Sequence, residues 1–195
     1  MNRREAIKRT AFLMGGTISA AAMTGVLSGC QPTPQGINWE PQFLTLDQDG
    51  TVSAVVGRII PTTDTPGAVE VGVPEFIDLM LKDNYKESDQ KLFLDGLIQL
   101  EADAMSEYNK SFAQLSAENQ DALLKKYDEA AYATMNKDGY DSKTERPFFN
   151  MIKELTLLGF FTSEVGATEV LQYDPLPGTY EGCVPLAEVG KAWAT

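Results

Sequence analysis

From Asp47 onward the apolar positions recur with the period of an α-helix. Val52, Val55, Val56, Ile59 and Ile60 fall at intervals of three and four and form one stripe, in spite of their β-branching. Asp47-Gln48-Asp49-Gly50 reads as the cap that starts this helix, and Pro61 stops it, because proline has no N–H to give the preceding turn. Residues 62–67 then form a loop. Pro74 suits the first turn of a second helix, with Phe76, Ile77, Met80 and Leu81 on its inner face. Ser88 or Asp89 can cap a third, longer helix whose stripe runs through Leu94, Leu97, Ile98, Met105 and Tyr108. Ser116 caps a fourth, carrying Leu123, Leu124, Tyr127, Ala130 and Ala131. The loop 136–146 leads to Pro147 at the start of another helix, striped by Phe148, Phe149, Ile152 and Leu155, and a shorter one follows around 163–171. No segment alternates with the period-two pattern of a strand, and no internal repeat is present. The pattern predicts an all-α domain over residues 45–195: a compact bundle of about five to six helices. After Tyr173 comes YDPLPGTYEGCVP, an irregular Pro/Gly-rich C-terminal extension, ordered or docking.

Residues 1–29 have the build of an export signal. Arg3, Arg4, Lys8 and Arg9 precede a charge-free stretch that ends in small residues, and such a segment is excluded from the fold. The run 10–29 is diluted by Gly, Thr and Ser and makes a poor membrane span. Asn2-Arg3-Arg4-Glu5-Ala6-Ile7-Lys8 is similar to a twin-arginine signal, with Asn2 and Ala6 departing from the pattern. An ordinary secretory signal with a chance Arg pair is the alternative. Leu27-Ser28-Gly29-Cys30 resembles a bacterial lipobox, which would make Cys30 the lipidated first residue of the mature chain, anchored at a membrane by its acyl chains. The residues up to 44 then form a Pro-rich flexible tether.

The full chain of 195 residues carries a net charge of −12, and the basic leader masks part of the acidity of the remaining chain. Such a surface repels phosphate backbones, so nucleic acid is excluded as a partner. There is no histidine at all, which removes the usual general base, the commonest zinc ligand and every Ser-His-Asp or Cys-His arrangement. No phosphate loop, dinucleotide fingerprint or metal-hydrolase motif occurs, so no catalytic and no cofactor-binding residues are assigned to this chain. Glu101, Asp103 and Glu107 read as a solvated helical face. One stretch, Thr134 to Glu145, partly matches a calcium-binding loop: Asn136, Asp138, Tyr140 and Glu145 fall on ligand positions and Gly139 on the turn position. Thr134 stands where the first ligating Asp belongs, so the stretch reads as a polar connection and no metal is expected. Cys183 reads as a small buried residue, with pairing across an interface as the alternative.

Ile59-Ile60-Pro61-Thr62-Thr63-Asp64-Thr65-Pro66-Gly67-Ala68, followed by Gly72-Val73-Pro74-Glu75-Phe76-Ile77-Asp78, resembles the N-terminal signature of the gluconate 2-dehydrogenase subunit 3 family. Phe148-Phe149 through Leu155-Thr156, Gly159-Phe160-Phe161-Thr162-Ser163 and Tyr173-Asp174-Pro175-Leu176-Pro177-Gly178 resemble its C-terminal signature, with Phe160-Phe161 where the family often has two tyrosines. The resemblance implies a small helical subunit that accompanies a large flavoprotein dehydrogenase of the glucose–methanol–choline type. It implies that FAD is held by that large subunit, that a cytochrome c subunit with haem c can complete the complex, and that the small subunit assists folding and export. It carries over no catalytic residue, so the chain is expected not to be an enzyme by itself. A stand-alone periplasmic lipoprotein, serving as a binding or envelope-structural module, is the alternative.

Two segments are expected to dock a partner, because aromatic side chains dominate interface centres. One is Gly159, Phe160, Phe161 and Thr162 at a helix junction. The other is the extension with Tyr173, Pro177 and Tyr180. Both can equally be core and lid.

Overall fold

The computed structural model describes residues 39–142, 146–176, 178–179 and 182–194, all within the compact unit Gly36–Thr195. Five helices of substantial length carry the fold: α1 (Leu46–Ile59), α2 (Val73–Asn84), α3 (Glu87–Tyr108), α4 (Ala117–Met135) and α5 (Phe148–Phe161). A 3₁₀ turn (Phe112–Gln114) joins α3 to α4, a π turn (Gly166–Val170) follows α5, and a last short helix, α6, spans Leu186–Val189. No helix among the described residues is long and apolar enough to cross a membrane.

The helix starts obey local chemistry. Thr45, and not the Asp47–Gly50 run, caps α1 through a reciprocal pair: its hydroxyl accepts from the Gln48 N–H, and the Gln48 side chain accepts from the Thr45 N–H. Asp47 and Asp49 sit in the first turn, where the helix N-terminus favours negative charge. Ser116 caps α4 as its sequence predicts, Pro74 lies in the first turn of α2, and Pro147 precedes α5. At α3 the expectation of a Ser88 or Asp89 cap is corrected. The helix begins at Glu87 after Lys86, with no side-chain cap. The corner is closed instead by the Gln90 amide, which donates back to the Leu81 and Tyr85 carbonyls, so the chain re-enters helix sooner than a Ser cap would allow.

α5 is the hub and packs against α1, α2, α3 and α4. It buries Phe149, Met151, Ile152, Leu155, Thr156, Gly159 and Phe160. Around it close Val52, Val55 and Val56 of α1, Ile77 and Leu81 of α2, Phe93, Leu97, Leu100 and Ala104 of α3, and Leu123 and Leu124 of α4. Each fully buried side chain of this size contributes about 1.5–3 kcal/mol. The register of α3 differs from its sequence reading. The core stripe is Phe93, Leu97, Leu100 and Ala104, whereas Ile98 and Met105 are 60% and 50% exposed. The two candidate stripes differ by one residue, a rotation of about 100°, and the rings decide between them. Phe93 meets Phe148 edge-on at 5.3 Å, and Gly96 leaves the gap that the Phe148 ring fills.

Buried polar side chains are satisfied. The Gln120 amide donates to the Phe112 carbonyl at 3.0 Å, and the Thr156 hydroxyl to its own helix at Ile152. Asp78, fully buried on α2, accepts from the backbone N–H groups of Gln42, Phe43 and Leu44 at 2.7, 3.0 and 2.8 Å. This carboxylate moors the segment that leads into α1.

The exceptions among the described residues are the Trp39 indole N–H and Asp49. The Asp49 Oδ1 is buried without a hydrogen-bond partner among the described residues, and burial, seconded by the charge of Asp78, raises its pKa above the ordinary aspartate value. The folded state therefore holds this proton more tightly than the unfolded chain does. Stability falls as pH rises from the ordinary aspartate range through the raised value. Asp49→Asn is expected to remove that decline, so its melting temperature gains on the wild type between about pH 4 and pH 7. A calorimetric difference that stays constant over the range would show that the Asp49 charge is not strained.

Candidate docking surface

α5 is apolar on nearly all sides, more than a core helix needs. Its buried stripe accounts for one side. On the other, Leu157, Leu158 and Phe161 are exposed, beyond Glu154, which pairs with Arg146. Tyr132 of α4 is exposed beside this face, and with Met135, Lys153 and Leu157 it lines a surface hollow of about 350 Å³. The Lys153 ammonium reaches the Asp128 carboxylate at 2.8 Å across the hollow, so its polar end is neutralised within the chain.

The Gly159–Thr162 segment divides. Gly159 and Phe160 are buried, which corrects their reading as surface docking residues. A Cβ on Gly159 would stand 2.6 Å from the Phe76 ring, so this glycine lets α2 and α5 approach closely. Phe160 is core and meets Phe161 edge-on at 5.3 Å. Phe161 and Thr162 are on the surface, and the Thr162 hydroxyl donates back to the Leu158 carbonyl. Adjacent helical residues point about 100° apart, so two neighbouring rings serve two different surfaces. Leu157, Leu158 and Tyr132 are not among the docking residues expected from the sequence; the signal for the two leucines is a stripe on α5 opposite its core stripe, at the same helical spacing, whereas Tyr132 comes from α4.

The C-terminal extension folds back instead of trailing away. The Gln172 backbone pairs with the chain at Ala192 and Ala194, and its amide donates to the Val189 and Lys191 carbonyls. The Lys191 ammonium donates to the Glu169 carbonyl, closing the return. Tyr173, Leu176, Val184 and Trp193 remain exposed on it, Leu176 by 85%. Cys183 is exposed as well, which corrects its reading as a buried residue: this stretch runs over the surface and offers no core to enter. Pro177 and Tyr180 lie outside the described residues, as do Arg3, Arg4, the lipobox Cys30 and Glu145.

The acidic face of α3 is more than a solvated surface. Glu101 accepts from the Thr51 hydroxyl at 2.6 Å and from the Phe112 N–H at 3.1 Å, tying α3 to α1 and to the 3₁₀ turn. Asp103 accepts from the Tyr127 phenol at 2.6 Å. Burial and then that hydrogen bond push the Tyr127 pKa well up, so the phenol stays a donor. Glu107 pairs with Lys126 in the open. In the 134–145 stretch, the Thr134 hydroxyl and the Asn136 amide turn back to carbonyls of α4, and Asp138 is exposed. Tyr140 donates its N–H to the Lys137 carbonyl. No group of three or more acidic, Cys or His side chains among the described residues is placed to hold a metal ion.

With these signature segments placed, the comparison with protein families is decisive: the family described as gluconate 2-dehydrogenase subunit 3 matches residues 47–178. The chain belongs to this family. The match begins in the first turn of α1 and ends within the extension, so it takes in all five long helices, the α1–α2 loop and the exposed face of α5. Comparisons with curated proteins and with solved structures return no match.

Proposed function

We propose that this subunit 3 family member is a non-catalytic small subunit of a flavin-dependent sugar or gluconate dehydrogenase complex, and that it binds the catalytic flavoprotein through the outer face of α5 and the returned extension. The observation that carries the reading is the family match over 47–178. The apolar α5 face supports it, since the stripe of Leu157, Leu158 and Phe161 leaves about two-fifths of each side chain in water and gains from being covered. The flavoprotein supplies FAD and the sugar site, and a cytochrome c subunit, where present, takes the electrons onward. The leader with Arg3 and Arg4 exports the folded pair, and lipidated Cys30 holds it at the membrane.

The test is purification of the full chain from its own host through a C-terminal tag. The wild type is expected to bring with it a flavin-absorbing large protein, and the double variant Leu158→Asp/Phe161→Asp to bring at least about tenfold less, the loss of one well-packed interface anchor. Unchanged helicity of the variant by circular dichroism separates lost docking from lost folding. A wild type that purifies without any flavoprotein would favour the stand-alone lipoprotein.

A further inference from the structure

A second surface is built by α1, α3 and the 3₁₀ turn. They enclose an open groove of about 530 Å³, lined by Leu46, Gly50, Leu97, Ile98 and Ala113 with Asp47 and Glu101 as its charged residues. Leu46 on one wall is 74% exposed and Ile98 on the other 60%, both large aliphatic groups standing in water. Met105 continues the α3 wall seven residues further on, about 10.5 Å along the axis, which is two helical turns. The walls are fixed before anything binds. Glu101 holds Thr51 and the Phe112 N–H, Gln120 holds the Phe112 carbonyl, and the Phe112 ring is fully buried.

Gly50 supplies an independent observation. It lies inside α1, where glycine costs about 1 kcal/mol relative to alanine. Nothing in the chain asks for it: a Cβ built there meets no atom within 4 Å, and its φ is not in the left-handed region. At Gly159 or Gly96 the missing side chain makes room for a ring of the same molecule. At Gly50 it leaves bare backbone facing the groove, the arrangement that lets another chain come close.

Charge narrows the occupant. Asp47 and Glu101 are both acidic, and neither forms an ion pair among the described residues. A second copy of this chain, with its own net charge of −12, is repelled. We infer that the groove seats a basic amphipathic helix of the flavoprotein partner. Its apolar anchors lie between Leu46 and Ile98 and against Met105, its Lys or Arg side chains face Asp47 and Glu101, and its backbone closes on Gly50. This rests on the proposed function for the identity of the partner.

The experiment uses the full chain, tagged and produced in its host, in three forms: wild type, Ile98→Glu and Gly50→Trp. Both substitutions are on open surface, and a cooperative thermal melt no lower than that of the wild type confirms folding. Each is expected to lower the flavoprotein recovered at least about tenfold. Gly50→Ala is expected to raise the melting temperature while lowering recovery, a pairing that a merely structural glycine would not give. A photo-crosslinking amino acid at position 98 is expected to capture a helical flavoprotein peptide with Lys or Arg on one face. Wild-type recovery of flavoprotein with unchanged recovery by Ile98→Glu and Gly50→Trp would overturn the groove and leave the proposed function standing. No flavoprotein with the wild type would overturn the proposed function itself. Crosslinking to a second copy, or to an acidic or uncharged segment, would overturn the occupant.

Discussion

Asp78→Ala is expected to cost about 3–5 kcal/mol of folding stability, the upper end of what one substitution does. The carboxylate is fully buried and receives three consecutive backbone donors, Gln42, Phe43 and Leu44. Hydrogen bonds to a charged acceptor contribute about 1.5–3 kcal/mol each, and a buried donor left without one costs about 1–3 kcal/mol. The three do not add in full, because the Gln42 end is exposed and water can replace its bond. The Leu44 N–H has no such recourse, since the residue is only 5% exposed and its side chain belongs to the core. A melting temperature lower by roughly 10 °C is the expected reading for a domain of this size. Amide exchange should rise first at residues 42–44, because the lead-in segment loses its mooring before α2 loses its packing. Asp78→Asn is expected to fall between, since an amide accepts through one oxygen and turns an N–H toward donors. Loss of less than about 1 kcal/mol in the alanine variant would mean that the lead-in segment is held by Leu44 burial alone.

Asp78 also shows where sequence reading stops. Nothing in Gly72-Val73-Pro74-Glu75-Phe76-Ile77-Asp78 marks the aspartate as buried, because its partners lie 34 to 36 residues earlier in the chain. Signals that act within a few residues are legible. Pro61, Pro74 and Pro147 punctuate the helices, and Ser116 caps α4, because each acts on backbone groups in its own turn. The stripe of α3 is legible only to within one residue. Phe93 and Leu94, like Leu97 and Ile98, offer two apolar faces, and the choice between them rests on the Phe148 ring, which is far along the chain. The candidate site divides the same way. That residues 159–162 are aromatic-rich is plain in the sequence. That Phe160 points in and Phe161 out depends on the phase of α5 against α2, set by the contact of Gly159 with Phe76. The groove of α1 and α3 is hidden for a related reason: periodicity alone puts Ile98 on the core stripe, and moving it out by one register step creates the exposed wall.

Gly67→Ala is the second large effect, and it decides what the α1–α2 signature is for. The segment from Ile60 to Ala68 closes on itself: Ala68 donates its N–H to the Ile60 carbonyl at 2.9 Å, Thr63 to Thr65 at 3.0 Å, and the Gly67 N–H goes to the Glu70 side chain at 3.0 Å. A Cβ on Gly67 would lie 2.6 Å from the Thr62 nitrogen, 2.9 Å from the Ile60 oxygen and 2.9 Å from the Pro61 carbonyl carbon. All three are backbone atoms and no side chain can turn aside, so alanine must open the loop and break the closure at Ile60. The expected cost is about 2–4 kcal/mol, with the melting transition lowered and still cooperative. Below that transition the folded fraction should recover flavoprotein as well as the wild type does, because the substitution touches neither α5's outer face nor the α1–α3 groove. An unchanged melting temperature together with lost recovery would reverse the assignment. The loop would then be a contact for the partner, and its tight closure would be a way of presenting Thr62, Thr63 and Asp64 to another chain.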